Sequence, residues 1–455
     1  MSEIVWDLNL IRKYNQSGPR YTSYPTALEF SEAYNNQDFI AASQRYPQRP
    51  LSLYVHIPFC HKLCYFCACN KIITRHQHKA DIYLDYLEKE IKERAELFKQ
   101  RVVTQIHWGG GTPTYLSEEQ SLRLMAMLRK HFNVSEKAEI SIEIDPREIE
   151  LSMLTHLRNI GFNRISMGVQ DFNKEVQKAV NREQDEAFIF ALMQKARELG
   201  FESTNLDLIY GLPLQTEQSF MHTLQRVIEL SPDRLSVFNY AHLPSRFAGQ
   251  RKIKDEMLPA PEEKLTILQK TIETLSAKGY KFIGMDHFAK PDDELAIAQE
   301  KGVLHRNFQG YTTQEECDLL GLGVSAISLL GDTYAQNQKE LKLYYTDIEM
   351  RGIALHKGLE MTKEDCLRRD VIKALICNFK LDFDLFEKAY QIDFKQHFAE
   401  DLELLAPLVQ DGLLTISETG IQVSAKGRLL IRNICMCFDT YSRSQARRQQ
   451  FSRII

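Results

Sequence analysis

The chain has no long hydrophobic run: nothing approaches the ~20 consecutive apolar residues that a membrane-spanning helix needs. It has little net charge, −4 over 455 residues, so no global field draws it to nucleic acid or to an anionic membrane. Its opening, MSEIVWDLNLIRKY, carries acids early and lacks an apolar core with a cleavage site. No signal peptide is read there, and a cytoplasmic location is expected. Without export, disulfides are a poor use of cysteine. Neither an internal repeat nor a low-complexity segment is present. What remains is ordinary globular composition, 44% hydrophobic and 26% charged, long enough for two or three domains at about 150 residues each.

The nine cysteines are unevenly spread. Five are scattered (Cys317, Cys366, Cys377, Cys435, Cys437), and four crowd into Cys60, Cys64, Cys67 and Cys69. The loop His56-Ile57-Pro58-Phe59-Cys60-His61-Lys62-Leu63-Cys64-Tyr65-Phe66-Cys67-Ala68-Cys69-Asn70 follows a predicted strand, which Pro58 ends. Iron–sulfur clusters are held by thiolates. The spacing Cys60-x3-Cys64-x2-Cys67 lets one short loop take three corners of a cube. With three ligands, a fourth iron stays open, as catalytic metal sites generally require. Structural zinc sites instead bring ligand pairs from two separated segments, and no second pair of that kind occurs here. Cys69 is open to three readings: alternative ligand, redox thiol or packing residue. A non-ligand close to the cluster is favoured.

From residue 51 a strand–helix alternation begins. Strands are predicted at 52–57, 103–108, 139–145, 164–170, 204–210, 234–240 and 281–286, with an amphipathic helix over 80–98. Such alternation predicts a parallel sheet with helices packed outside. Several strands alternate in polarity: Ile140, Ile142 and Ile144 oppose Ser141, Glu143 and Asp145, and Leu206 and Leu208 oppose Asn205 and Asp207. One face is then apolar toward helices and the other polar, which suits a curved sheet around a ligand-holding lumen. A sheet with one solvated face is the simpler alternative. Gly109-Gly110-Gly111-Thr112-Pro113 ends the second strand, where backbone groups can approach a ligand closely. Glu143, Gln170, Asp207 and Ala241 fall at or near successive strand ends, the edge where α/β folds bind ligands. Asp145, Asp171 and Asn181 are expected as helix caps.

Residues 1–50 read as an irregular arm containing Arg20-Tyr21-Thr22-Ser23-Tyr24-Pro25-Thr26, residues 51–335 as the catalytic domain, and 336–455 as a small helical domain. In the last, helices at 362–378, 396–411 and 425–437 surround a hairpin at Leu413–Val423, a winged-helix-like order. His76 and His78 are expected at a helix start without binding anything, and Cys435 and Cys437 in core packing.

The cysteine loop, with Phe66 before its last ligand, resembles the radical S-adenosylmethionine signature. Arg20–Thr26, Tyr54–Asn70, His107–Tyr115, Ser141–Glu148, Asn163–Asn173, Asn181–Gln184, Asp207–Pro213, Gly284–Ala289, His305–Tyr311 and Gly321–Ser328 together resemble the bacterial oxygen-independent coproporphyrinogen III oxidase family. Ala68 departs from it, since that family usually has glycine there. The resemblance implies an α/β fold, an incomplete TIM-like β/α barrel with an N-terminal arm and a winged-helix-like C-terminal domain. It implies one [4Fe–4S] cluster on Cys60, Cys64 and Cys67 and two S-adenosylmethionine molecules. Tyr54, Phe66, Gly110, Glu143 and Ile327 would contact the first. Gly111, Thr112, Gln170, Arg182, Asp207 and Ala241 would contact the second. Tyr54, His56, Cys69 and Gln309 are the catalytic candidates, although His56 reads equally as a loop-anchoring hydrogen bonder. The implied reaction turns two propionates of coproporphyrinogen III into vinyl groups, giving protoporphyrinogen IX. Arg20, Arg147, Arg164 and His56 are candidates for the substrate carboxylates. Expected partners are the small-molecule substrate and a reducing electron-donor protein, with no nucleic acid or membrane, for a monomeric enzyme. The related haem chaperones share the cluster motif, but Cys69, the arm motif and Asn181–Gln184 set this chain apart from them.

Overall fold

The computed structural model describes residues 4–314 and 317–454; the first three residues of the expected arm lie outside them. The chain forms two compact units. One comprises Met1–Glu29, Leu265–Glu315 and Met361–Ile455, the other Phe30–Lys264 and Glu316–Glu360. The expected boundaries at 50 and 335 do not coincide with this division, because strand pairing between Thr333–Asn337 and Leu355–Glu360 ties residues 336–360 to the larger unit.

The larger unit is built on one large sheet. Strands β1 (Leu51–Ile57), β2 (Val102–Gly110), β3 (Asn133–Ile144), β4 (Arg164–Gln170), β5 (Ser203–Tyr210) and β6 (Arg234–Asn239) lie side by side, each parallel to the next. Helices His78–Glu96, Glu118–His131, Leu151–Ile160, Glu186–Glu198 and Glu217–Leu230 form the crossovers. On the far side of β1, strand β7 (Asp318–Leu322) is parallel; β8 (Ile327–Leu330), β9 (Thr333–Asn337) and β10 (Leu355–Glu360) follow antiparallel. This is the expected incomplete β/α barrel.

The predicted alternation decides the two faces. Val55, Ile57, Ile106, Trp108, Ile142, Met167, Leu206 and Val237 are buried, as are Leu84, Leu87, Leu124, Leu128, Ile189, Leu192, Phe220 and Leu224 on the helices. Trp108 meets Phe162 edge to face, 4.9 Å between centroids. The other face is laced with hydrogen bonds: Ser52 to Gln105 (2.6 Å), Gln105 to Glu139 (3.0 Å), His107 with Ser141 (2.6 Å) and Asn205 to Ser166 and Asp207 (both 2.8 Å). Paired polar residues on adjacent strands remove the desolvation cost that an enclosed polar face otherwise carries.

Three expectations are corrected. The arm is not irregular throughout: Leu8–Tyr14 and Asn36–Arg45 are helices, started by an Asp7 cap and by an Asn35/Asp38 capping box. The strand predicted at 281–286 forms over Lys281–Gly284, ends where Gly284 takes φ +147°, and pairs antiparallel with His287–Ala289. The helix predicted at 396–411 is broken at Phe398 into Phe394–His397 and Ala399–Gln410. The smaller unit keeps the rest of the winged-helix-like order. Lys363–Asn378 precedes the sheet Lys380–Asp382, Gly420–Val423, Leu414–Ile416, and Cys435 is fully buried in the helix Ile431–Cys437.

One buried network locks the first crossover helix to the returning strands. Glu90 and Arg94 are fully buried. Glu90 accepts from Arg94 Nε (2.9 Å), Asn337 Nδ2 (2.7 Å), the Gly323 N–H (2.8 Å) and Tyr344 Oη (2.8 Å). Removing one member of a buried pair strands the other charge. Glu90→Ala is therefore expected to lower stability by about 3–5 kcal/mol, read as a lower midpoint in guanidinium denaturation.

Candidate metal and cofactor site

The cysteine loop is pinned at both ends. Beyond β1, Phe59–Cys60 pairs in parallel with Ile72–Ile73, and the Ile72 and Thr74 N–H groups donate to Pro58 and Cys60 carbonyls. Its middle is tied down as well. The Tyr65 N–H donates to the Val180 carbonyl (3.0 Å), Asn181 Nδ2 to the Leu63 carbonyl (2.7 Å) and Gln250 Nε2 to the Phe66 carbonyl (3.0 Å). Tyr65 and Phe66 pack on a buried cluster of Val176, Val180, Leu212, Tyr240 and Ile253.

Donors surround the sulfurs. Thr112 Oγ1 lies 3.3 Å from Cys60 Sγ, and Arg147 Nη2 and Arg182 Nη1 each lie 3.3 Å from Cys64 Sγ. Lys71 Nζ holds the Cys67 and Cys69 carbonyls. A hydrogen bond from the Cys69 thiol, helped by Lys71, lowers the Cys67 thiol pKa and raises that of Cys69. Burial pushes Cys60 up to about 11, so without a metal beside it the group stays a thiol at neutral pH. Among the described residues no three His, Cys, Asp or Glu side chains converge on a single metal ion. Three thiols spaced around one loop suit a polynuclear cluster, whose irons take one thiolate each, better than a mononuclear site.

The arginines correct an expectation. Asp145 does not cap a helix: it takes Arg147 (2.6 Å) and Arg182 (3.0 Å) as ion partners. Burial raises its pKa, but Arg182 and then Arg147 outweigh burial and hold the carboxyl far below its usual range. Asp171 is not a cap either, since it accepts from Asn173 N, Gln215 and Thr223, and Asn173 caps the helix Lys174–Ala179. Asn181 instead anchors Leu63 of the loop.

Around the polar face, Glu143 accepts from the Gly110 N–H (3.2 Å) and faces His107 Nε2 (3.4 Å). Burial raises its pKa, but His107, Gly110 and His56 together pull it below the usual value, so it is a carboxylate at neutral pH. Tyr54 stacks on His107 with centroids 5.9 Å apart and bonds His56 Nδ1 at 3.1 Å. The other nitrogen of His56 bonds the Asn70 carbonyl (3.0 Å), and burial lowers its pKa, so the ring is neutral and anchors the loop. Gly110 has φ +115°, and a Cβ there would sit 2.5 Å from His56; at Gly111 it would sit 2.7 Å from the Pro58 backbone. No side chain fits in either place. Gln170, also at positive φ (67°), has a buried Oε1 without a partner. Arg182 Nε is likewise buried and unpartnered, while its Nη2 donates to the Gly168 carbonyl (2.5 Å). Burial lifts the Asp207 carboxyl to about 6 despite the Asn205 hydrogen bond. The Ala241 carbonyl accepts from the same Gln250 amide that holds Phe66, and Ile327 pairs with Gln336 beside Gly321.

The expected cluster, cofactor and catalytic residues all belong to the larger unit except Gln309, which with the carboxylate candidate Arg20 belongs to the smaller one. Of the substrate-carboxylate candidates, Arg20 is ion-paired with Asp286, Arg147 with Asp145, and Arg164 with Glu139 at 3.5 Å. Lys71 and Gln250 escaped the sequence reading. Lys71, four residues past Cys67, was legible as a charge beside the loop, whereas Gln250 reaches it only through the fold.

The chain matches the Radical SAM superfamily over residues 54–227 and the HemN C-terminal domain over residues 361–430. It is 69% identical to the oxygen-independent coproporphyrinogen III oxidase of Escherichia coli (strain K12), covering 100% of both chains. This chain belongs to the oxygen-independent coproporphyrinogen III oxidase family. It is 52% identical to the oxidase of the same name from Pseudomonas aeruginosa, again covering 100% of both. The solved coproporphyrinogen III oxidase (HemN) from Escherichia coli, a radical SAM enzyme, superposes with a TM-score of 0.94 at 68% identity, over 97% of this chain and 100% of that one. Membership implies a [4Fe–4S] cluster and S-adenosylmethionine, which the thiol donor set and the unpartnered Gln170 and Arg182 atoms fit.

Because the Asp207 carboxyl sits near 6 when folded and near 3.9 when unfolded, the folded state favours its protonated form. That advantage is complete below about pH 4 and is lost as pH rises through about 6. Asp207→Asn is expected to gain on the parent by about 2 kcal/mol between pH 4 and pH 7.5, measured as the difference in urea midpoints of the two proteins at each pH.

Proposed function

We propose that this chain catalyses the oxygen-independent oxidative decarboxylation of two propionate side chains of coproporphyrinogen III, giving the two vinyl groups of protoporphyrinogen IX. Full-length identity of 69% to an oxidase of that name carries the reading, and the three-thiol loop supports it. When bound, the cluster and S-adenosylmethionine supply a 5'-deoxyadenosyl radical, the oxidant for an unactivated C–H bond. The protein's part is orientation and exclusion of water. Each event takes one hydrogen atom from a propionate β-carbon, releases carbon dioxide and passes one electron to an acceptor.

Cys60, Cys64 and Cys67 are the cluster ligands in this reading. Glu143, ionised at neutral pH, takes the ammonium of the S-adenosylmethionine at the cluster, with Tyr54, Phe66, Gly110 and Ile327 around it. A second S-adenosylmethionine lies against Gly111, Thr112, Gln170, Arg182, Asp207 and Ala241, where the unpartnered Arg182 Nε and Gln170 Oε1 find partners. A guanidinium suits a carboxylate because its donors form a fixed fork. Tyr54, held by neutral His56, and Cys69 and Gln309 complete the catalytic set. Electrons enter from a reducing protein.

The test is anaerobic. The reconstituted, reduced protein is expected to convert coproporphyrinogen III to protoporphyrinogen IX with release of carbon dioxide and 5'-deoxyadenosine. Cys60→Ala is expected to abolish both products and most bound iron. Deoxyadenosine without vinyl product would exclude the substrate while sparing the cofactor chemistry.

A further inference from the structure

Residues 240–253 leave the end of β6 and fold back against the cysteine loop, all within the larger unit. Tyr240 and Ile253 belong to the buried cluster on which Tyr65 and Phe66 pack. Between them the turn Ala248–Lys252 comes so close that a Cβ on Gly249 would lie 3.4 Å from the Tyr65 carbonyl oxygen. Gln250, in that turn, is 1% exposed, and its side chain is fully engaged. Nε2 donates to two carbonyls, Phe66 (3.0 Å) and Ala241 (3.2 Å), which is one acceptor for each amide hydrogen. Oε1 accepts from the Leu243 N–H (2.5 Å).

The two carbonyls lie far apart in sequence and flank different ligands in the reading above. Phe66 precedes the last cluster thiol and borders the S-adenosylmethionine at the cluster; Ala241 borders the second one. Anchoring the loop needs only the Phe66 bond, and Val180 and Asn181 already hold the loop from another side. The second bond, to Ala241, has a different consequence. The amide keeps both hydrogen bonds only while both carbonyls are in place. A ligand that fixes one carbonyl therefore favours the amide position that fixes the other. A coupling of this kind acts equally in both directions.

We propose that Gln250 is a positioning residue that couples the two S-adenosylmethionine positions, so that filling either one strengthens binding at the other. This rests on the two-cofactor reading above. Gln250 acts through the Phe66 and Ala241 carbonyls and takes no part in breaking bonds.

The test measures binding of labelled S-adenosylmethionine to the reconstituted holoprotein by anaerobic equilibrium dialysis, without substrate or reductant, beside iron content and thermal midpoint. The parent is expected to bind two equivalents cooperatively. Gln250→Met keeps the side-chain volume and loses all three hydrogen bonds. Gln250→Glu keeps an acceptor for Leu243 and, as a carboxylate, loses both donors. Both variants are expected to keep the parent's iron and to bind two equivalents independently, the second roughly ten-fold more weakly, within the usual range of a coupling between sites. Cooperative binding in both variants at affinities close to the parent's overturns the coupling. So does loss of iron in both, which reduces Gln250 to an anchor of the loop. Two equivalents bound without cooperativity by the parent overturn it as well. A parent that binds only one equivalent refutes the two-cofactor reading itself, and the coupling falls with it.

Discussion

The pinning of one loop underlies the rest of the site. Three cysteines can serve a cluster only if the backbone between them is held where three irons want their ligands. The short parallel pair Phe59–Cys60 with Ile72–Ile73 closes the loop at its base. Val180, Asn181 and Gln250 hold its middle from three other places in the chain. A loop held by the fold lowers the ordering cost of any metal it binds. Arg147 and Arg182 place positive charge beside the Cys64 sulfur, and Lys71 holds the Cys67 carbonyl, surroundings that favour thiolates.

The same elements serve the cofactor side. Asp145 holds both arginines at Cys64, so the carboxylate acts on the sulfur through the guanidinium groups. Gly110 and Gly111 are bare because His56 and the Pro58 backbone occupy the space a side chain would need. His56 links the two: it bonds Tyr54 on the polar face and the Asn70 carbonyl at the end of the cysteine loop. Hydrogen bonds between neighbouring strands fix the polar residues of β1 to β5 in several groups, the kind of orientation on which electrostatic preorganisation depends.

Much of this was legible in the residues. The glycine run at the end of β2 and the period-two alternation of Ile140–Asp145 and Leu206–Asp207 depend on local geometry, and the structure follows them closely. Sequence reading failed where a residue's role is decided by a distant partner. Asp145 looks like a cap because aspartates after strands usually are; Arg182, 37 residues away, decides otherwise. Residues 281–286 read as one strand because nothing local announces that Gly284 ends it and turns the chain back into His287–Ala289. The arm helices were missed although Asp7 and the Asn35/Asp38 box are local signals, because the turn-rich aromatic stretch between them dominated the reading. The division into two units, which gathers three separated stretches of chain into the smaller one, has no local signature at all.

The most direct test is Mössbauer spectroscopy of the anaerobic protein reconstituted with iron-57, recorded before and after adding S-adenosylmethionine. A four-iron cluster is predicted in which one site alone changes on addition, to higher coordination with nitrogen and oxygen ligands. Four irons that stay equivalent with S-adenosylmethionine present, or a loop that binds zinc in place of iron, would contradict the three-thiolate site.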